Sequence, residues 1–280
     1  MTIQVTQDQI NAINEGFAQG GVRLPFPVLY LRWRNGKQEL SDLKDARHFG
    51  GWEVDGEAVG EYLAMTGLSG LPHGFSAITA VPKSGGEYTA YVSRWIGFAP
   101  IGQRKRWRKN EQGRAYSHVQ ILGLVADFEP KKKVYSAWGN VVLTATGLSA
   151  QAIEDALQKF SAATAVSRQQ HAPGVPAYFF WHPLGTFGEF QAKLVGKGNN
   201  RSPITPCQVH LPDQVGEDHL SKWFVGAESV EAMVALKRQA DSWLSADSWK
   251  RGEEGEGGES GPENFPAEYD DHYQGDEVPF

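Results

Sequence analysis

A long acidic, glycine-rich run at the C-terminus sets the first limit on what this chain can fold into. Gly252 to Phe280 holds ten acids (Glu253, Glu254, Glu256, Glu259, Glu263, Glu268, Asp270, Asp271, Asp276 and Glu277) and no Lys or Arg. Such a segment has too little apolar surface to offset the entropy of ordering it, so it is expected to be disordered and to add nothing to a core. The folded body is sought before it. The division predicted is an N-terminal helix over 1–21, a β-rich core over 22–248 and an acidic partner-binding tail over 249–280. Within the core, 161–175 is the candidate dividing line for two subdomains.

The run closes on Asp276-Glu277-Val278-Pro279-Phe280. A solvated spacer would serve with polar residues to its end, whereas this one finishes on an aromatic ring beside a carboxylate. Those groups suit a partner pocket with an apolar floor and a basic rim. In these residues the chain resembles the bacterial single-stranded-DNA-binding proteins and several phage counterparts, whose acidic tails end in acids, an aliphatic residue and Pro-Phe. The match is close over Asp276–Phe280 and compositional over Gly252–Gln274. The resemblance implies that Pro279 and Phe280 recruit replication, recombination and repair proteins. It also implies that the acids speed encounter and that the tail competes with DNA for the basic core. Over the body it thins. The body is larger than the compact barrel of bacterial members, and Val119–Val125 only loosely resembles an opening barrel strand, so no base-contacting residue is transferred by position.

Charge supports a nucleic-acid partner independently. The chain carries −6 overall, but without the tail acids 27 basic residues stand against 23 acidic ones, a net of +4. The excess is local: Arg94, Arg104, Lys105, Arg106, Arg108, Lys109, Arg114, Lys131, Lys132 and Lys133 face only Glu111, Asp127 and Glu129, a net of +7. Tyr88, Tyr91, Trp95, Phe98, Trp107, Tyr116, Phe128, Tyr135 and Trp138 lie within or beside that stretch. Single strands call for this mixture, because phosphates are met by cations and unstacked bases by aromatic faces. The predicted contact set is Arg94, Trp95, Arg104–Lys109, Arg114, Lys131–Lys133, Tyr135 and Trp138. Trp107 is expected outside because its neighbours are charged. Tyr91, Trp95 and Tyr135 could equally face inward from an alternating strand.

Thr6 is a candidate cap for the first helix, with Ile10, Ile13 and Phe17 on one face. Asn35-Gly36 after Leu24–Trp33 predicts a tight hairpin, and Lys83–Gly86 predicts a turn before a long strand over Glu87–Ala99. Tyr116–Phe128 and Val134–Thr146 read as two strands joined by the basic loop 129–133. Ser149 is the expected cap of a helix bearing Ala152, Ile153, Ala156, Leu157 and Phe160. Short strands are expected over Ala177–His182, Glu189–Val195 and Pro203–Leu211, then a helix over Ser229–Leu244. The fold class expected is α+β and β-rich, with an OB-fold-like barrel core and added helices.

Catalytic patterns are missing from the sequence. Gly196-Lys197-Gly198 lacks the phosphate-loop spacing, and Gly67-Leu68-Ser69-Gly70 is one residue short of a nucleophile elbow. Cys207 and His210 would point to opposite faces of a strand, and His171, His182 and His219 are scattered, so neither metal nor cofactor is expected. Asp127 and Glu129 are read as positioning Lys131–Lys133 rather than as holding Mg²⁺. A single cysteine suggests a reducing compartment. No secretory signal and no membrane span is read, so the expected location is the bacterial cytoplasm, or the host's if the chain is phage-encoded.

The function expected is a non-enzymatic single-stranded-DNA-binding protein that coats DNA and recruits partners through its tail. Two alternatives stay open: an adaptor that mimics the tail to redirect host DNA-processing machinery, and a strand-annealing recombination protein. Single-strand binders often assemble into homo-oligomers, but no coiled-coil pattern fixes a number.

Overall fold

Two long runs of alternating and β-branched residues build the centre of this protein. In the computed structural model they form β6 (Ala115–Glu129) and β7 (Val134–Thr146), with β5 (Trp95–Lys109) antiparallel on the other side of β6. The structure describes residues 24–36, 50–80, 86–109, 115–129, 131, 134–188, 193–195 and 202–245. The predicted helix over 1–21, most of the turn Lys83–Gly86, Arg114, Lys132, Lys133 and the tail with Asp276–Phe280 lie outside the described residues, as does the side chain of Lys109.

Six more strands extend this centre: β1 (Leu29–Arg34), β2 (Gly51–Asp55), β3 (Ser76–Ala80), β4 (Tyr88–Ser93), β8 (His182–Gly185) and β11 (Gln208–Val209). The nine-stranded sheet has the order β11-β8-β5-β6-β7-β1-β2-β4-β3. β1 is parallel to β7, with Arg32 opposite Thr144, and antiparallel to β2, with Arg32 opposite Glu53. A separate pair joins β9 (Lys193–Val195) to β10 (Ser202–Ile204). The fold is mixed α+β, strand-rich, and built on a curled half-barrel sheet.

The curl shows in contacts between strands that are not neighbours. The Trp52 indole on β2 donates to the Leu184 carbonyl on β8 at 3.0 Å, and the Thr186 hydroxyl donates to the Gly50 carbonyl at 3.0 Å. The long strand expected over Glu87–Ala99 is therefore broken. It bends at Arg94, so that β4 pairs with β2 and β3 while β5 pairs with β6 and β8. The Thr186 amide donates to the Arg94 carbonyl at 2.9 Å and ties this bend to β8. A Cβ at Gly185 would collide with that carbonyl and with Trp95, so the closure needs a residue with no side chain there.

The curled sheet buries its inner face against a long helix, α2 (Gly147–His171), and a shorter one, α1 (Gly56–Thr66). Leu29, Leu31, Trp33, Trp52, Val54, Ile121, Leu143, Ile153 and Phe160 form the main core there. The Asp55 carboxylate caps α1 by accepting from the Glu57 and Ala58 amides at 2.9 and 3.1 Å. α2 starts two residues before its predicted cap: Thr146 is the N-cap, and Ser149 is buried inside the first turn. Gly147, at φ 52, lets β7 turn straight into the helix. The candidate division at 161–175 begins inside α2, and β8 and β11 beyond it rejoin the same sheet.

The outer face carries α4 (Ala227–Gln239) and α5 (Asp241–Leu244), which follow α3 (Glu217–Trp223). The single helix expected over Ser229–Leu244 is two, hinged at Ala240, and the hinge seats Trp243 on Leu122 and Val142. Met233 covers Ala99, Leu124 and Ala126 nearby. Three short strands are redrawn as well. Ala177–Phe179 is a 3₁₀ turn, and among the described residues of the other two regions strand structure falls in β9, β10 and β11. Asn35-Gly36 does not make a tight hairpin, since residues 35–50 join β1 to β2. Instead Asn35 accepts from the Thr205 amide at 3.1 Å, and the Gly36 amide donates to the Thr205 hydroxyl at 2.9 Å.

Trp243 is wholly buried and its ring lies under the Arg104 guanidinium, 3.8 Å from the ring centroid. Trp243→Ala is expected to destabilise the protein by about 3–5 kcal/mol in urea denaturation, the range for a large aromatic removed from a packed site.

Candidate nucleic-acid interface

Strand alternation decides how the basic stretch is presented. The pairing of Gly102–Lys109 with Ala115–Leu122 runs without a further register shift, so Arg104, Arg106 and Arg108 share the outer face while Lys105 and Trp107 share the inner one. Arg104 is interior. Its Nε and Nη2 donate to the Gln120 Oε1 at 3.0 and 2.6 Å, and its Nη1 donates to the Trp243 carbonyl at 3.3 Å. Burial pulls its pKa down to about 9, which Tyr30 partly opposes, so it stays a cation at neutral pH. Arg104 therefore fastens α5 to the sheet. Arg106, Arg108 and Tyr116 are partly exposed toward the hairpin end of β5–β6.

On the opposite face Lys105 pairs with Glu154 of α2 at 2.8 Å. Trp107 is 61% exposed, and the Lys105 ammonium lies 6.0 Å from its ring centroid. The cationic and aromatic features of Arg106-Trp107-Arg108 thus lie on two sides of one ribbon. Beyond His118, which pairs with the last residue of β7, this ribbon extends past the end of its neighbour.

The outer face holds more positive charge than the local stretch. Arg32 and Arg34 project from β1 onto it, and both pair with the buried Glu53 of β2. The Tyr88 hydroxyl accepts from Arg32 at 3.0 Å and donates to Glu53 at 3.1 Å. Burial raises the Glu53 carboxyl, but the two guanidiniums outweigh it and hold the pKa below its ordinary value. Between β1 and β5 stand Thr144 and His118, 3.0 Å apart. Following the register, Arg104, Gln120, Thr144 and Arg32 form one row across the sheet, and Arg106, His118 and Thr146 begin the next toward Arg34.

Other predicted residues are elsewhere. Lys131 is exposed in the β6–β7 turn, at the far end of β6 from Arg106, beyond roughly 36 Å of strand from His118 to Glu129 at about 3.3 Å per residue. Arg104–Arg108 and Lys131 thus stand at two separate ends of β6. Trp95, Phe128 and Tyr135 form an aromatic cluster near that far end, with centroids 4.8 to 6.5 Å apart. The Tyr135 ring lies over Gly97, and burial pushes its hydroxyl up to about 12. Trp138 packs on Tyr62 and donates to the Gly70 carbonyl at 2.8 Å, as a prop for α1. Arg94 donates to the Gly188 carbonyl at 2.8 Å beside the closure. Asp127 accepts from the His73 amide at 2.7 Å.

Sequence reading missed Arg32, Arg34 and Glu53 and left Tyr88 out of the contact set, because the register that gathers them is not local. A partial signal existed: Arg32-Trp33-Arg34 has the same alternation as Arg106-Trp107-Arg108. Among the described residues, no group of three or more His, Cys, Asp or Glu could hold a metal ion, and no helix is long and apolar enough to cross a membrane. Cys207 is buried, whereas His210 is exposed and stacks on Phe187 at 5.0 Å, and the two flank β11 on either side. No family model, curated protein or solved structure matches this chain.

Two buried histidines give the fold a pH dependence. Burial, reinforced by Arg108 and Arg104, lowers His118 to about 3. Burial lowers His182 to about 4, although its bonds to the Phe180 and Phe98 carbonyls work the other way. Both are neutral in the fold, whereas the unfolded chain takes up protons near 6.5. Their contribution is therefore complete above pH 6.5 and lost as pH falls toward 4 and 3. The melting temperature is expected to drop between pH 6.5 and 4.5, before carboxylates dominate, and His118→Gln is expected to flatten that part of the profile.

Proposed function

We propose that this chain is a non-enzymatic single-stranded-DNA-binding protein that recruits replication, recombination or repair proteins through Asp276–Phe280. The observation that carries this reading is the end of the β5–β6 ribbon, where Arg106 and Arg108 lie beside Tyr116 on one side and Trp107 is 61% exposed on the other. Cations on one side of a ribbon end and an accessible ring on the other suit a strand that folds over that end, its phosphates on the arginines and an unstacked base on the indole. In this reading the half-barrel sheet plays the part of an OB-fold-like barrel, with binding on the strands rather than in an enclosed cavity. The acidic tail then serves two ends: its charge hastens encounter with basic partners, and Pro279 and Phe280 supply the apolar contact. The compartment that fits is the bacterial cytoplasm, or that of the host of a phage.

The test is a titration of the full chain with a fluorescent dT oligonucleotide over several salt concentrations, with a duplex control. Binding selective for the single strand and falling steeply with salt is expected. Trp107→Ala is expected to weaken it by roughly 5- to 150-fold, the equivalent of about 1–3 kcal/mol for one stacked base, with the salt slope unchanged. Equal affinity for duplex and single strand, or no binding, contradicts the proposal.

A further inference from the structure

The geometry points to a phosphate-binding track that runs across the strands of the outer face, from Arg106 and Arg108 on β5 to Arg34 and Arg32 on β1, rather than along the ribbon toward Lys131. This inference rests on the single-strand-binding reading and names the path the strand takes on the protein.

Three observations carry it. First, register places Arg32 level with Thr144, Gln120 and Arg104, so the arginines of β1 and β5 belong to one face separated by three interstrand steps, about 14 Å at roughly 4.8 Å each. Second, the groups between the two arginine pairs are polar and small: Thr144 and Thr146 on β7, with His118 held neutral against Thr144. A charged or bulky residue in either place would divide the face, whereas hydroxyls let a phosphodiester backbone pass.

Third, Arg32 and Arg34 are set in advance. Glu53 is 1% exposed, while the Arg32 and Arg34 side chains keep 19% and 27% of their surface. One buried carboxylate thus holds two guanidiniums side by side at the surface. A guanidinium has five N–H donors in a fixed fork, so pairing with Glu53 and bonding to phosphate oxygens are compatible. The occupant that matches a row of arginines with polar spacers is a flexible polyanion laid across the strands. A duplex, stiff and wide, matches a curled face less well.

The same dT titration of the full chain, extended to variants, tests the track. Arg34→Gln is expected to weaken binding at low salt and to make the salt slope shallower by about 0.7, the increment for one single-strand phosphate contact. Arg106→Gln with Arg108→Gln is expected to remove about 1.4, and the three changes together should sum. Arg34→Lys keeps the charge and should restore the wild-type slope, while Lys131→Gln should leave affinity unaltered. Wild-type binding by Arg34→Gln while the Arg106 and Arg108 double variant is weakened overturns the track and leaves the single-strand-binding reading standing. So does an Arg34→Lys variant as weak as Arg34→Gln with a lowered melting temperature, which would assign Arg34 to packing. No binding by the unaltered chain removes both.

Discussion

The outer face exists in its present form because the sheet curls until β2 meets β8. The Trp52 indole reaching the Leu184 carbonyl, and Thr186 bridging Gly50 and Arg94, fix that curvature. Once it is fixed, the inner face must be filled, and α2 with the tryptophan-rich core fills it. Only the outer face is left to be divided between packing and exposure. α4 and α5 cover its middle through Met233 and Trp243, and the hairpin end of β5–β6 with the end of β1 stays polar and cationic. On that face the pairing of β1 with β2 sets Glu53 beside Arg32 and Arg34, and its pairing with β7 sets β6 and β5 beyond them.

Arginine does two different tasks within a few residues of β5. Arg104 is buried and held by Gln120, the Trp243 carbonyl and the Trp243 ring, which makes it a fastener between sheet and helix. Arg106, two residues on, keeps partial access to solvent. The difference lies in what covers each position. Glu53 shows the reverse economy, since a single carboxylate at 1% exposure orients two cations that remain near the surface.

What the sequence made legible was local. The alternation and β-branching of Tyr116–Phe128 and Val134–Thr146 located β6 and β7 almost to the residue, and the stripe from Met233 to Trp243 identified the face that packs. The exposure expected for Trp107 from its charged neighbours also holds. Asp55-Gly56-Glu57 with Val59 and Tyr62 at helical spacing announced α1 and was passed over. Non-local pairing was the part the sequence could not supply. A long strand broken at Arg94 looks continuous until the curl demands that β4 and β5 take different partners. A +7 stretch looks like one patch until β6 carries Lys131 to the opposite end of the sheet. Arg32 and Arg34, distant in sequence, join Arg106 and Arg108 only through the parallel pairing of β1 with β7.

The central claim is that a single strand lies on the end of the outer face formed by β1, β7, β6 and β5. Ultraviolet cross-linking of the full chain to a dT oligonucleotide, followed by mass spectrometric mapping of the joined peptides, addresses it most directly. Cross-links on Tyr116 and the Tyr30–Arg34 peptide, with Trp107 reached only by a base turned over the end of the ribbon, are the expected result. Cross-links confined to Tyr135, Trp138 and the 130–133 turn would place the nucleic acid at the other end of the sheet and contradict the account.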